Sequence, residues 1–292
     1  MQNRPSIEEL RIELNDLELI DEFAEGSYKT VYRVNVNSRI EALKVLYVPE
    51  IKGDDNLVQQ ENYIKRINRE FKLLESLQSP YVVKLGSIKQ RTIKLSNRKY
   101  LIYSEELVGG NPLDKMISEK YIPTMKEAAQ LLFCGLDVIK EIWTYKTIHR
   151  DIKPGNIMFT GNKTRPYVIL DFGIAFIIGD TLLTLVGNTP CTPAYIAPEM
   201  LKSGFRDNID FRVDMFSLGV TAYEFTSGVH PFIKDNQYNT FKSIAEDNAK
   251  PLTELREDLP HEFCLLIDQL LKKKSSLRPN INILINKMKD FL

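Results

Sequence analysis

His149-Arg150-Asp151-Ile152-Lys153-Pro154-Gly155-Asn156, followed by Asp171-Phe172-Gly173, is the stretch on which the reading of this chain turns. Asp151, Lys153 and Asn156 stand just ahead of a short apolar segment, Ile157-Met158-Phe159. A turn at Gly161-Asn162 leads to a second apolar segment at 167–170, which delivers Asp171. A hairpin of this kind returns Asp171 close to Asn156. A scattered Asp or Asn is usually a turn former. Here the polar residues come as a set, with a lysine among them.

Upstream, the first hundred residues favour strands. Residues 17–25, 28–36 and 40–47 are short, β-branched or alternating, and separated by turn-like residues. A helix interrupts them, with Ile64, Ile67, Phe71, Leu74 and Leu77 on its apolar face, and it stops before Ser79-Pro80. Two more strands are expected near 82–89 and 100–106. After Gly109-Gly110-Asn111-Pro112 the pattern turns helical. Residues 124–145 carry an apolar stripe, 211–226 are apolar almost all round, and 263–271 and 281–292 read as closing helices. The expected division is an N-terminal extension at 1–16 and one domain at 17–292. That domain splits into a strand-rich lobe (17–106), a hinge (105–110) and a helical lobe (111–292), with a cleft as the ligand site.

Lys44 follows Ala42 at an interval of two on an alternating strand, so both face the inner side of the sheet. A lysine there must pair or snorkel, and Glu70 on the interrupting helix is the expected partner. The hairpin Ala24-Glu25-Gly26-Ser27-Tyr28-Lys29 between two predicted strands keeps one glycine. Alone it reads as a plain turn.

Composition narrows the class. Lys plus Arg and Asp plus Glu are 39 each in 292 residues, so no net field argues for nucleic acid or an anionic membrane. The run Lys272-Lys273-Lys274 reads as a solvated helix end. Cys134, Cys191 and Cys264 are far apart and form no metal-binding pair, with Cys134 and Cys264 expected as core thiols. The N-terminus carries no apolar stretch like a signal peptide, and the apolar window 167–187 is interrupted by Asp171 and Asp180. No membrane span and a cytoplasmic location are expected.

Lys44, the octapeptide at 149–156, Asp171-Phe172-Gly173, and Thr192-Pro193-Ala194-Tyr195-Ile196-Ala197-Pro198-Glu199 occur in one order. That order resembles the catalytic set of eukaryotic-type serine/threonine protein kinases. Asp171 to Ala175 resembles the bacterial members. The resemblance runs from about residue 17 to 292. It implies an α+β fold of two lobes: an antiparallel sheet with one main helix, then a larger helical lobe. It implies ATP and magnesium (or manganese) as cofactors, and transfer of the γ-phosphoryl group to Ser or Thr of a protein substrate. Asp151 would be the base, Lys153 would touch the γ-phosphate, and Asn156 and Asp171 would hold the metal. Lys44, held by Glu70, would bind the α- and β-phosphates.

The resemblance also assigns the nucleotide's surroundings. Ala24, Gly26 and Ser27 would cover the phosphates, and Val31, Ala42 and Met158 would wall the adenine. Glu105 and Leu107 would offer backbone hydrogen bonds at the hinge, and Ser104 would guard the back pocket. Asp214 would brace the catalytic loop, and Glu199 with Arg278 would anchor the peptide-binding segment. Thr181, Thr184, Thr189 and Thr192 lie in the activation segment, with Thr184 the favoured phosphorylation site and a homodimer as the means of autophosphorylation. The sequence departs from the family at Ala24, Lys29 and Cys191, where glycines are usual. Those departures suggest a pseudokinase as one alternative, and a small-molecule phosphotransferase is another.

Overall fold

The computed structural model describes residues 4–25, 29–48, 68, 71–171, 193–202 and 209–292. They fall into two compact units. The first takes in Val83–Val108 and the described residues before Leu77. The second takes in Leu77–Val82 and the described residues from Gly109 onward.

The first unit opens with a helix, α1 (Ile7–Glu13), in the stretch read from sequence only as an extension. Ser6 Oγ accepts from Glu9 N while the Glu9 carboxylate accepts from Ser6 N at 2.8 Å, so each end of the box satisfies the other's amide. Five antiparallel strands follow: β1 (Glu18–Glu25), β2 (Lys29–Val36), β3 (Arg39–Val48), β4 (Arg91–Leu95) and β5 (Arg98–Glu106), in the spatial order β1-β2-β3-β5-β4. Two-residue turns join β2 to β3 and β4 to β5. Asn37-Ser38 and Ser96-Asn97 all have positive φ, the conformation that suits the twist of a tight hairpin. The second turn corrects the expectation of a strand at 82–89. It pins Leu95 opposite Arg98, whereas 82–89 contributes isolated bridges at Val82 and Leu85.

The register sorts the side chains onto two faces. Val31 lies opposite Lys44, Ala42 opposite Glu105 and Lys44 opposite Tyr103, so these share one face. On that face Leu46, Val48, Leu101 and Tyr103 pack with Phe71 of α2, the helix described at 71–76. The other face carries Tyr32, Val34, Leu43, Val45 and Ile102, and Leu10 and Leu14 from the N-terminal segment cover it.

Ser104, opposite Leu43, is on this second face with Glu41. The Glu41 carboxylate is buried and accepts from Ser87 N at 2.8 Å, from Ser87 Oγ at 2.5 Å and from Ser104 Oγ. Burial works to raise the Glu41 pKa, but the hydrogen bonds from Ser104 and Ser87 together outweigh it and leave the carboxyl below its usual range.

In the second unit, β6 (Asn111–Pro112), β7 (Ile157–Phe159) and β8 (Tyr167–Ile169) form a small sheet. Its helices are α3 (Leu113–Ser118), α4 (Met125–Thr144), α5 (Arg212–Ser227), α6 (Gln237–Glu246), α7 (His261–Leu270) and α8 (Ile281–Lys289), of which α3 and α4 pack on that sheet. Thr124 and Glu127 box the start of α4. The α5 helix is buried on nearly every side, as its apolar composition requires, and Gly228 ends it in the left-handed conformation. It packs against α4 and α7. Cys134 and Cys264 are buried free thiols. No helix among the described residues is long and apolar enough to cross a membrane.

Lys273 is not the solvated residue the sequence suggests. Its Nζ donates to the Ile244 carbonyl at 2.7 Å, near the end of α6, and lies 3.7 Å from the Phe232 ring centroid. Burial lowers its pKa to about 8. The ammonium meets helix carbonyls and an aromatic face in place of water.

Two outcomes follow from the Glu41 cluster. A Cβ at Gly86 would collide with the Glu41 carboxylate and Ser104 Oγ, so Gly86→Ala should lower stability to urea by roughly 1–3 kcal/mol. The lowered Glu41 pKa contributes stability that is present above the unfolded value near 4.5 and is lost as pH falls below it. Unfolding curves between pH 3 and 6 should therefore show a shallower acid loss in Glu41→Gln than in the wild type.

Candidate active site

The second unit builds its polar centre around Asp214, in the first turn of α5 and fully buried. Its two carboxylate oxygens accept from His149 N at 2.7 Å and Arg150 N at 2.8 Å. Burial raises the Asp214 pKa to about 6 against the opposing pull of those two amides. The bonds hold Arg150 at φ +68, a left-handed geometry that is costly for a side chain with a Cβ. His149 is buried as well, and burial lowers its pKa to about 4 despite the nearby Asp151 and Asp171. It is therefore neutral at pH 7. Its Nδ1 accepts from Asp151 N at 3.3 Å.

Asp151 is thus presented on a braced backbone. Its carboxylate accepts from Lys153 Nζ at 2.9 and 3.0 Å and from Asn156 Nδ2 at 2.7 Å. Asn156 Nδ2 also donates to the Asp151 carbonyl at 2.9 Å. Both amide hydrogens are committed to Asp151, so Asn156 presents its Oδ1 as an acceptor. The β7–β8 hairpin then brings Leu170 N to within 2.8 Å of the Asn156 carbonyl, and Asp171 follows directly, at φ +53. An amide oxygen and a carboxylate held this way are the hard donors that magnesium takes.

Further along the second unit, Arg278 donates to both oxygens of Glu199, at 2.6 and 2.8 Å, and to the Arg212 carbonyl at 2.8 Å. Its side chain is fully buried. Tyr195 OH donates to Glu224 Oε2 at 2.5 Å, and burial raises the pKa of both groups. Met158 is buried on β7.

In the first unit, Lys44 Nζ lies 2.6 Å from Glu105 Oε2, with both side chains buried. The partner named from sequence, Glu70, lies outside the described residues. Ser104, read as the guard of the back pocket, points to the opposite face, where it bonds Glu41 and accepts from Ile88 N at 2.9 Å. Glu105 takes the position beside Lys44 instead. Val31 and Ala42 are buried on the same face as Lys44, and Leu107 is half-buried. Ala24 pairs with Val31 across β1 and β2. Gly26, Ser27, Thr181, Thr184, Thr189 and Thr192 lie outside the described residues.

Sequence reasoning missed the side chain of Glu105, the Tyr195–Glu224 bond and the buried, neutral His149. Only His149 carried a local signal, through its place in the octapeptide.

Comparison with known proteins agrees with this fold. A family model described as "Protein kinase domain" matches residues 17–288. Myosin light chain kinase A of Dictyostelium discoideum is 30% identical over 94% of this chain and 88% of its own length. Dual specificity mitogen-activated protein kinase kinase jkk-1 of Caenorhabditis elegans is 28% identical, over 92% of this chain. A probable serine/threonine-protein kinase of Clostridium perfringens is 26% identical over 89% of this chain. The chain spans 59% of the nematode protein and 36% of the clostridial one. The crystal structure of Rad53 1-466 in complex with AMP-PNP superposes with a TM-score of 0.70 at 22% identity, covering 93% of this chain and 64% of that one. At that identity it shows the fold alone.

Asp214→Ala leaves the amides of His149 and Arg150 without their charged acceptor. Urea unfolding should show a loss of about 3 kcal/mol, since a hydrogen bond to a charged group contributes about 1.5–3 kcal/mol and the orphaned His149 amide stays buried.

Proposed function

Because the chain belongs to the protein kinase domain family, we propose that it is a serine/threonine kinase moving the γ-phosphoryl group of Mg-ATP to protein hydroxyls. The observation that carries the reading is Asp151, its carboxylate gripped by Lys153 and Asn156 on a backbone braced by Asp214. In phosphoryl transfer the new bond joins the substrate oxygen to phosphorus, the bond to the ADP oxygen breaks, and the hydroxyl proton must leave. Asp151 orients that hydroxyl and accepts its proton. Lys153, already on Asp151, offers its charge to the γ-phosphoryl oxygens. Asn156 and Asp171 would hold magnesium, which would supply positive charge against the phosphates. Lys44 binds the α- and β-phosphates.

A protein target is favoured over a small molecule by the buried Glu199–Arg278 pair, which fixes the segment at 193–199. On this reading Thr184 is the preferred autophosphorylation site, modified between two copies of the chain in the cytoplasm.

The test is transfer of label from γ-labelled ATP with magnesium to a generic basic protein, followed by phosphoamino-acid analysis. Wild type should label Ser or Thr. Asp151→Ala should lose at least about 100-fold in rate, the scale of a missing general base. Equal labelling by the variant, or nucleotide binding without transfer by the wild type, overturns the reading.

A further inference from the structure

We propose that Glu105 is a positioning residue for Lys44, a sheet-borne carboxylate that aims the ammonium toward the nucleotide phosphates. The proposal rests on the phosphate-binding role given to Lys44 above. Its basis is the 2.6 Å ion pair between two side chains that are 7% and 5% exposed. A buried ammonium needs a counter-ion close by. Here one is built into the neighbouring strand.

The backbone leaves Glu105 little freedom. β3 and β5 pair without interruption from Glu41 opposite Glu106 to Val48 opposite Lys99. Glu105 is therefore the diagonal neighbour of Lys44 on one face, at a separation fixed by the ladder. At the end of the ladder, Lys84 N donates to Glu106 Oε1 at 2.8 Å, and Glu106 N donates to the Lys84 carbonyl at 2.9 Å. On the reverse face Ser104 is bonded to Glu41 and Ile88, which prevents the strand from rolling. The Tyr103 ring lies 5.8 Å from Lys44 Nζ on the same face as Glu105. The ammonium is held by a carboxylate and an aromatic ring, both carried by β5.

This anchor differs in kind from a carboxylate on a helix. A helix can shift while the sheet stays intact, and a ladder neighbour cannot. An ammonium has three donors, so a bond to Glu105 is compatible with bonds to phosphate oxygens. Loss of the carboxylate should weaken nucleotide binding more than the transfer step, because Glu105 pairs with the phosphate-binding Lys44 and is not the group assigned to take the hydroxyl proton.

Glu105→Gln keeps size and hydrogen-bonding capacity while removing the charge. It should raise both the calorimetric Kd for Mg-ATP and the KM for ATP about tenfold, with kcat within about twofold of wild type. Glu105→Asp, which restores the charge on a shorter arm, should recover part of the loss. A urea double-mutant cycle with Lys44→Met should show that the two losses are not additive. Unchanged ATP binding in Glu105→Gln with reduced stability would make the pair structural only and overturn the proposal. Tighter ATP binding would overturn it too, by showing that the carboxylate competes with phosphate for Lys44. If the wild type transfers no phosphoryl group, the kinase reading fails by itself, and the calorimetric arm still decides the role of Glu105.

Discussion

Much of the second unit hangs on one buried carboxylate. Asp214 sits in the first turn of a helix surrounded by protein and spends both oxygens on the amides of His149 and Arg150. That clasp helps to hold Arg150 at positive φ. Without it the next residue, Asp151, would lose the backbone geometry that sets its bonds to Lys153 and Asn156. The cost of burying the charge appears in its raised pKa. A group kept despite such a cost is one whose removal leaves other buried groups unsatisfied.

The first unit shows the same economy on a sheet. Glu41 and Glu105 are both buried acids at neighbouring strands, yet they face opposite ways and do different work. Glu41 receives neutral donors, from Ser87, Ser104 and the Ile88 amide, and ties the segment at 86–88 to the sheet. Glu105 meets a full positive charge. Which face Glu105 takes is decided by the register, since a one-residue slip of β5 against β3 would turn it away from Lys44 to the face of Glu41.

That register is where the sequence stops being legible. The two-lobe α+β architecture, the buried α5 helix and the amphipathic α4 helix follow from periodicity and composition, and the structure agrees. The polar centre at 149–171 was readable because its members are close in sequence and joined by one short hairpin. The partner of Lys44 was not. On β5, Tyr100 and Ile102 face one way and Leu101 and Tyr103 the other, and all four are buried. With both faces apolar, alternation cannot tell which side Ser104 or Glu105 will take. Lys273 was misread for a similar reason. Its run of like charges signals solvent, and only tertiary packing brings the ring of Phe232 beneath it.

The helix α1 lies ahead of the region that the family model matches, residues 17–288. It is nonetheless a working part of the first unit. Leu10 and Leu14 sit in the same apolar cluster as Tyr32, Leu43 and Ile102, and the Tyr32 hydroxyl donates to the Pro5 carbonyl at 2.8 Å. Trimming the chain to its family limits would strip a lid from oily strands and strand a phenol without its acceptor. The packed first unit therefore begins upstream of the stretch that the family model matches.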